Sequence, residues 1–322
     1  MKLPTIGPLG ALQRGRPIIT ALFCSELGRA MSNEQMDRAN EQLLYSSCSE
    51  EARALYRKLL HKDPTRTRRL ALTYAEVVAL AARGDPAQRA EKFREVAVAL
   101  LLDTAEGLLR QAGLRAADID FLMVCCMAGK TLPRLASHVA GRVGFRPELV
   151  TYNLGDMGCS VGVTAIDLAT RLLRAEDRPR RAMVLALEPV SNLFQLTEDA
   201  GGIVGNTLFG EGCAGVIVST HREPALYHFG PGQRTLLADE QGRQAITLAF
   251  VPTGALIQLS KEIPGVAGQA IEMNLRRLVP RFISPADALR YLITRKVPRW
   301  QRCISRGAVH PGGMVVLRTL QE

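Results

Sequence analysis

The sequence predicts an α/β layered fold built on a mainly parallel sheet, and three observations carry that prediction. Short, almost unbroken apolar runs such as Ile119 to Cys126 (IDFLMVCC) and Ala182 to Leu187 (AMVLAL) have the length and composition of strands buried on both faces. Longer stretches with apolar residues every three or four positions alternate with them, as helices do. The connections between them are short and bounded by glycine or proline, so successive strands are joined through helices on the faces of one sheet.

Residues 1–46 read as irregular, with Pro4, Pro8 and Pro17 interrupting any long element. Ser49 to His61 is helical and stops before Asp63-Pro64; it carries Arg53, Arg57 and Lys58, with Lys62 just beyond. Tyr74 to Ala82 is a second short helix, stopped by Gly84 and Pro86. From Ala87 to Ala112 the apolar positions Phe93, Val96, Leu100, Leu101, Ala105 and Leu108 predict a largely buried helix, with Gly113 as its terminator. After the Ile119 strand come a helix from Arg134 to Val143, a strand from Leu149 to Leu154, a helix from Cys159 to Leu173 and the Ala182 strand. Gly205 to Ser219 reads as glycine-rich turns around a strand from Cys213 to Ser219. Further on lie a strand at Ala255 to Leu259, helices at Val266 to Val279 and Pro285 to Arg295, a strand from Cys303 to Val309 and a last helix from Met314 to Leu320. Two halves are expected, 1–222 and 223–322.

Composition narrows the function. The chain has 322 residues, 47% hydrophobic and 22% charged, which is ordinary for a globular protein with a sizeable core. Seven cysteines, two of them adjacent (Cys125, Cys126), and no Cys-x-x-Cys pair argue for reduced thiols and a cytoplasmic setting rather than a disulfide framework or a metal site. No apolar run is long enough for a transmembrane span and no signal peptide is legible. The net charge of +10 fits polyanionic partners; with 5% aromatic residues and no RNA-binding aromatic motif, nucleic acid is not expected.

The stretch YNLGDMGCSVGVTAIDL sets Cys159 between glycines at a strand-to-helix turn. Helix-terminal N–H groups there favour a thiolate, and Gly155 and Gly158 allow a sharp turn. His310 stands at the end of the Cys303 strand, before Pro311-Gly312-Gly313 and another helix. A histidine facing a cysteine can take the thiol proton. Taken alone, Cys159 reads first as a packed thiol and His310 as a structural imidazole; the parallel settings together favour a pair at the carboxyl ends of strands, where such folds bind ligands.

YNLGDMGCSVGVTAIDLA, LFGEGCAGVIV and GAVHPGG together resemble the thiolase-fold condensing enzymes, specifically the type III polyketide synthases (chalcone synthase-like) and the plant-type 3-ketoacyl-CoA synthases. The resemblance runs from about residue 90 to the end. It implies two related βαβαβ halves in an α/β/α/β/α layering, and a decarboxylative Claisen condensation. Cys159 would carry the acyl group of an acyl-CoA, malonyl-CoA would supply the enolate, and His310 would activate the thiol and stabilise the enolate oxygen. Coenzyme A thioesters would be substrates, and no resident cofactor is implied. Phe209 matches an aromatic gatekeeper, and Ile257 falls where a second would stand. Leu132-Pro133 matches a pair, often cis, whose first side chain reaches a partner subunit, which implies a homodimer. Arg57, Lys58 and Lys62 resemble a basic cluster for the coenzyme A phosphates.

One motif departs. The family's third catalytic residue is an asparagine some tens of residues after the histidine, and only 12 residues follow His310. The C-terminal half is therefore expected to be incomplete: a truncated product, or one completed by a second chain. A non-catalytic or partner-dependent homologue, or a cysteine-thioester acyltransferase without decarboxylation, is the alternative.

Overall fold

The computed structural model describes residues 15–28, 30–62, 67–230, 232–278 and 285–294. His310, the strand at 303–309 and the last helix, all expected from the sequence, lie outside the described residues.

A buried apolar run forms β1 (Ile18–Cys24), and Pro17 sits just before it, where a missing N–H costs no ladder bond. β2 (Ala30–Ser32) leads into α1 (Asn33–Leu43), whose capping box pairs the Ser32 hydroxyl with the Gln35 N–H and the Gln35 side chain with the Ser32 N–H. Much of the region expected to be irregular is therefore ordered. The Ser-Asn-Glu-Gln signature was the legible signal for α1. α2 (Glu50–Lys62), β3 (Thr67–Arg69) and α3 (Tyr74–Arg83) follow, and α4 (Pro86–Ala112) is a long helix capped by Asp85 at one end and a left-handed Gly113 at the other.

β4 (Phe121–Cys125), α5 (Leu135–Val143), β5 (Val150–Leu154), α6 (Val161–Ala175), β6 (Arg181–Glu188), α7 (Ala200–Leu208) and β7 (Gly212–Ser219) come next. The six-stranded sheet runs β5-β4-β6-β7-β1-β8, with β8 at Tyr227–His228. Only β5, β4 and β6 are parallel; β6–β7, β7–β1 and β1–β8 are antiparallel. The expected mainly parallel sheet is thus mixed. Apolar runs cannot reveal strand direction, so the antiparallel entry of β7 between β6 and β1 was not legible. β8 lies just past the expected boundary at 222/223 yet still pairs with β1. Beyond it are α8 (Glu240–Gln244), a hairpin of β9 (Ile246–Val251) and β10 (Gly254–Leu259), α9 (Ile263–Leu278) and α10 (Pro285–Thr294).

Two apolar layers cover the sheet. α4 lies on one face through Ala97, Leu101, Ala105 and Leu108 against Leu122, Leu185 and Ile217. α6 covers the other through Val161, Ala165, Ala169 and Leu173 against Met123, Val184 and Val218. Alternate residues of β4 and β6 go to the two layers, which is why those runs are continuously apolar. A satellite core of α1–α3, with Tyr56 and Tyr74, packs against Phe194 and Ile203.

Candidate active site

Because β5, β4 and β6 are parallel and in register at Leu154, Cys125 and Ala186, their carboxyl ends form one rim. β7 runs the other way, so its start joins the same rim, with Gly212 opposite Glu188. Four segments converge there: the turn after β5 holding Cys159, the loop after β4 holding Leu132, the end of β6 with Glu188, and Phe209-Gly210-Glu211 before β7.

The turn after β5 is shaped by backbone geometry. Gly158 has φ +56° and Asp156 φ +61°, both left-handed. A Cβ on Gly155 would stand 3.1 Å from the Cys126 carbonyl oxygen, so the two loops touch there. Gly158–Ser160 then make one 3₁₀ turn that delivers Cys159 to the N-terminus of α6. Cys159 as a residue is exposed, while its sulfur lies among neighbouring groups. Crowding by surrounding protein pushes its pKa up, the charge of Glu188 pushes it further, and the backbone N–H of Cys159 itself works the other way. The described residues alone therefore disfavour the thiolate that a helix N-terminus was expected to support.

Glu188 was not foreseen. Its oxygens accept the Met127 N–H at 3.0 Å and the Ala128 N–H at 3.1 Å, and burial lifts its carboxyl to about 7. The carboxylate ending the apolar run AMVLAL is visible in the sequence, but its main-chain partners are not. Burial, with Glu188 as a second cause, takes Cys125 and Cys126 to about 12, so both are inert packed thiols.

Leu132 is 90% exposed, and its bond to Pro133 is cis. With Lys130, Asn153, Gly155 and Asp156 it lines a cleft of about 640 Å³ between the two loops, which Lys130 and Asp156 bridge at 2.8 Å. Phe209 caps α7 and shares a separate cavity of about 30 Å³ with Ile257, Tyr74, Phe194 and Leu256. The structure thus brings Phe209 and Ile257 together and sets Leu132 beside the cysteine turn. The basic residues lie on α2, which packs on α7. Arg57 is engaged by Glu41 at 2.9 Å and lies 5.1 Å over the Tyr45 ring. Lys58 and Lys62 are exposed and, four residues apart, share a helix face. Among the described residues no group of three or more metal-ligating side chains is close enough to hold an ion.

A family model for FAE1/type III polyketide synthase-like proteins matches residues 67–299. The chain is 30% identical over 247 residues to probable 3-ketoacyl-CoA synthase 20 of Oryza sativa subsp. japonica, a match covering 71% of this chain and 47% of that protein. It is 28% identical over 332 residues to 3-ketoacyl-CoA synthase 11 of Arabidopsis thaliana, covering 97% of this chain and 63% of the relative. The chain therefore spans about half to under two thirds of these relatives' lengths. Its fold matches the crystal structure of the C-terminal type III polyketide synthase domain of Steely1, a type I/III hybrid from Dictyostelium, at a TM-score of 0.80 and 19% identity, covering 95% of this chain and 82% of that one.

Proposed function

The chain belongs to the FAE1/type III polyketide synthase-like family, and from that premise we propose that it is an acyl-CoA-dependent β-ketoacyl or polyketide synthase. The observation that carries this reading is the exposed Cys159 at the helix N-terminus on the sheet rim. The Cys159 sulfur attacks the acyl-CoA carbonyl, the coenzyme A thiol leaves, and the acyl group stays as a thioester. Malonyl-CoA loses CO2; the carbon of the resulting enolate attacks that thioester; the Cys159 thiolate is released, leaving a 3-ketoacyl-CoA. His310 takes the thiol proton and donates to the enolate oxygen, while the Cys159 N–H serves the oxyanion. Phe209 and Ile257 bound the acyl path, and Lys58 and Lys62 meet the coenzyme A phosphates, with Arg57 held back by Glu41. The chain acts as a homodimer in which Leu132 of each copy faces the other.

The test is intact mass after incubation with acyl-CoA. An adduct that vanishes in Cys159→Ala, with CO2 release from malonyl-CoA, supports the reading; no adduct at any chain length overturns it. The raised thiol favours a second reading, a homologue active only with a partner. Adduct formation only when an active condensing homologue is added identifies that case. Adduct without CO2 release identifies an acyltransferase.

Among the described residues no helix is long and apolar enough to cross a membrane.

A further inference from the structure

Glu188 ends β6 as a carboxylate with no ion-pair partner among the described residues, and both of its oxygens are committed to one neighbouring loop. Oε1 takes the Met127 N–H and Oε2 the Ala128 N–H. A second, neutral tie comes from the Asn192 side-chain amide, which donates to the Ala128 carbonyl at 3.0 Å. The loop that leads from β4 to Leu132 is thus fastened at its root by one ionisable contact and by two that do not titrate, this amide and the Cys126 N–H, which donates to the Leu154 carbonyl at 3.1 Å. The titratable groups that feel the charge of Glu188 are thiols: Cys125 at the end of β4, Cys126 just past it, and Cys159 before α6. On the β7 side Glu188 is opposite Gly212; the adjacent Glu211 is itself occupied by the Ser191 and Ala71 N–H groups.

We propose that Glu188 is a positioning residue with a proton-dependent grip: ionised, it holds Met127 and Ala128 through both oxygens, and protonated, it keeps only one good acceptor and releases half of the hold. A carboxylate offers two equivalent anionic acceptors, whereas the neutral acid offers one carbonyl oxygen and a hydroxyl that donates. Burial places the change near neutral pH, about 7. Ionisation has a second effect, because the same charge disfavours the Cys159 thiolate. Alkaline conditions fasten the loop and raise the thiol; acidic conditions do the reverse. The second effect matters for activity only on the reading of Cys159 as the nucleophile. The grip itself does not depend on it.

The test uses the full chain without substrate. Amide hydrogen exchange at single-residue resolution is followed from pH 6 to 8.5 and corrected for intrinsic pH dependence, while iodoacetamide alkylation of Cys159 is followed by peptide mapping. Wild-type protection at Met127 and Ala128 is expected to rise through pH 7. Glu188→Gln should lose that pH dependence, exchange one of the two amides about tenfold faster, the loss of one charge-assisted bond, and alkylate Cys159 with a lower pH midpoint. Wild-type protection flat through pH 7 overturns the proposal without any variant, and so does a variant that matches wild type in exchange and alkylation. A chain that shows the grip but forms no acyl adduct loses only the condensing reading; one that forms the adduct with flat protection loses only the grip.

Discussion

Single residues decide the chemistry at the rim. Glu188 has a folded pKa of about 7 against an ordinary 4.5, because the cost of burying its charge outweighs the Met127 and Ala128 N–H bonds that favour the ionised form; protonation therefore supports the fold as a whole even though it loosens the loop. That contribution is complete below pH 4.5 and is lost as pH rises through 7, on the order of 3 kcal/mol from the size of the shift. Glu188→Gln lacks this dependence. Urea midpoints measured from pH 5 to 8 should therefore move in the variant's favour as pH rises; parallel curves would refute the buried, ionising Glu188. Gly155 makes a simpler case, since an added Cβ meets the Cys126 carbonyl at 3.1 Å. Gly155→Ala should cost about 1 kcal/mol of stability and slow Cys159 alkylation by displacing the turn. Cys159 itself was legible because glycines bracket it at a change of periodicity. Glu188 was not, because its partners are main-chain N–H groups some sixty positions away in the chain, which side-chain identity does not advertise.

At the level of elements, α7 shows where local propensity fails. Its sequence AGGIVGNTL contains three glycines, and from Gly205 onward it read as turns, yet Asp199 caps a helix there by accepting the Gly202 N–H at 2.7 Å. The glycines are there because β10 passes close: a Cβ on Gly201 would lie 2.8 Å from the Leu259 nitrogen and 2.9 Å from its oxygen. Helix propensity favours alanine over glycine by about 1 kcal/mol, but here the clash wins. Gly201→Ala should lower the urea midpoint, and a stabilised variant would show that the hairpin does not pack as described. Asp199→Ala should cost about 1 kcal/mol through the lost cap, measured the same way. By contrast α4 was read nearly to its ends, because Pro at its start and Gly past its end punctuate a long periodic run. Continuous apolarity located β4 and β6 but not the direction of β7, since a strand buried on both faces reads the same either way.

Across the whole molecule, the net charge of +10 predicts that acyl-CoA loading weakens with salt. A Lys58→Glu, Lys62→Glu double variant should raise the KM for acyl-CoA with little change in the maximal rate of adduct formation, and the difference should shrink near about 0.5 M salt, where exposed charges are screened. An unchanged KM would remove those lysines from the substrate path. Leu132, 90% exposed beside the cleft at the edge strand β5, predicts association: light scattering should give a mass of about twice 35.1 kDa, and Leu132→Asp should shift it toward one copy. A single-copy mass for wild type would end the dimer reading. The sequence by itself determined the α/β class, the position of most strands and helices, and Cys159 as the residue to watch, because burial period and glycine placement are written locally along the chain. Tertiary structure alone decided that the sheet is mixed, that Phe209 and Ile257 line one cavity, that Arg57 is already paired, and that Glu188 accepts the Met127 and Ala128 N–H groups of the loop beside Cys159. Each of those depends on which distant segments pack together, and hydrogen bonding and desolvation between them are set by that packing rather than by neighbours in sequence.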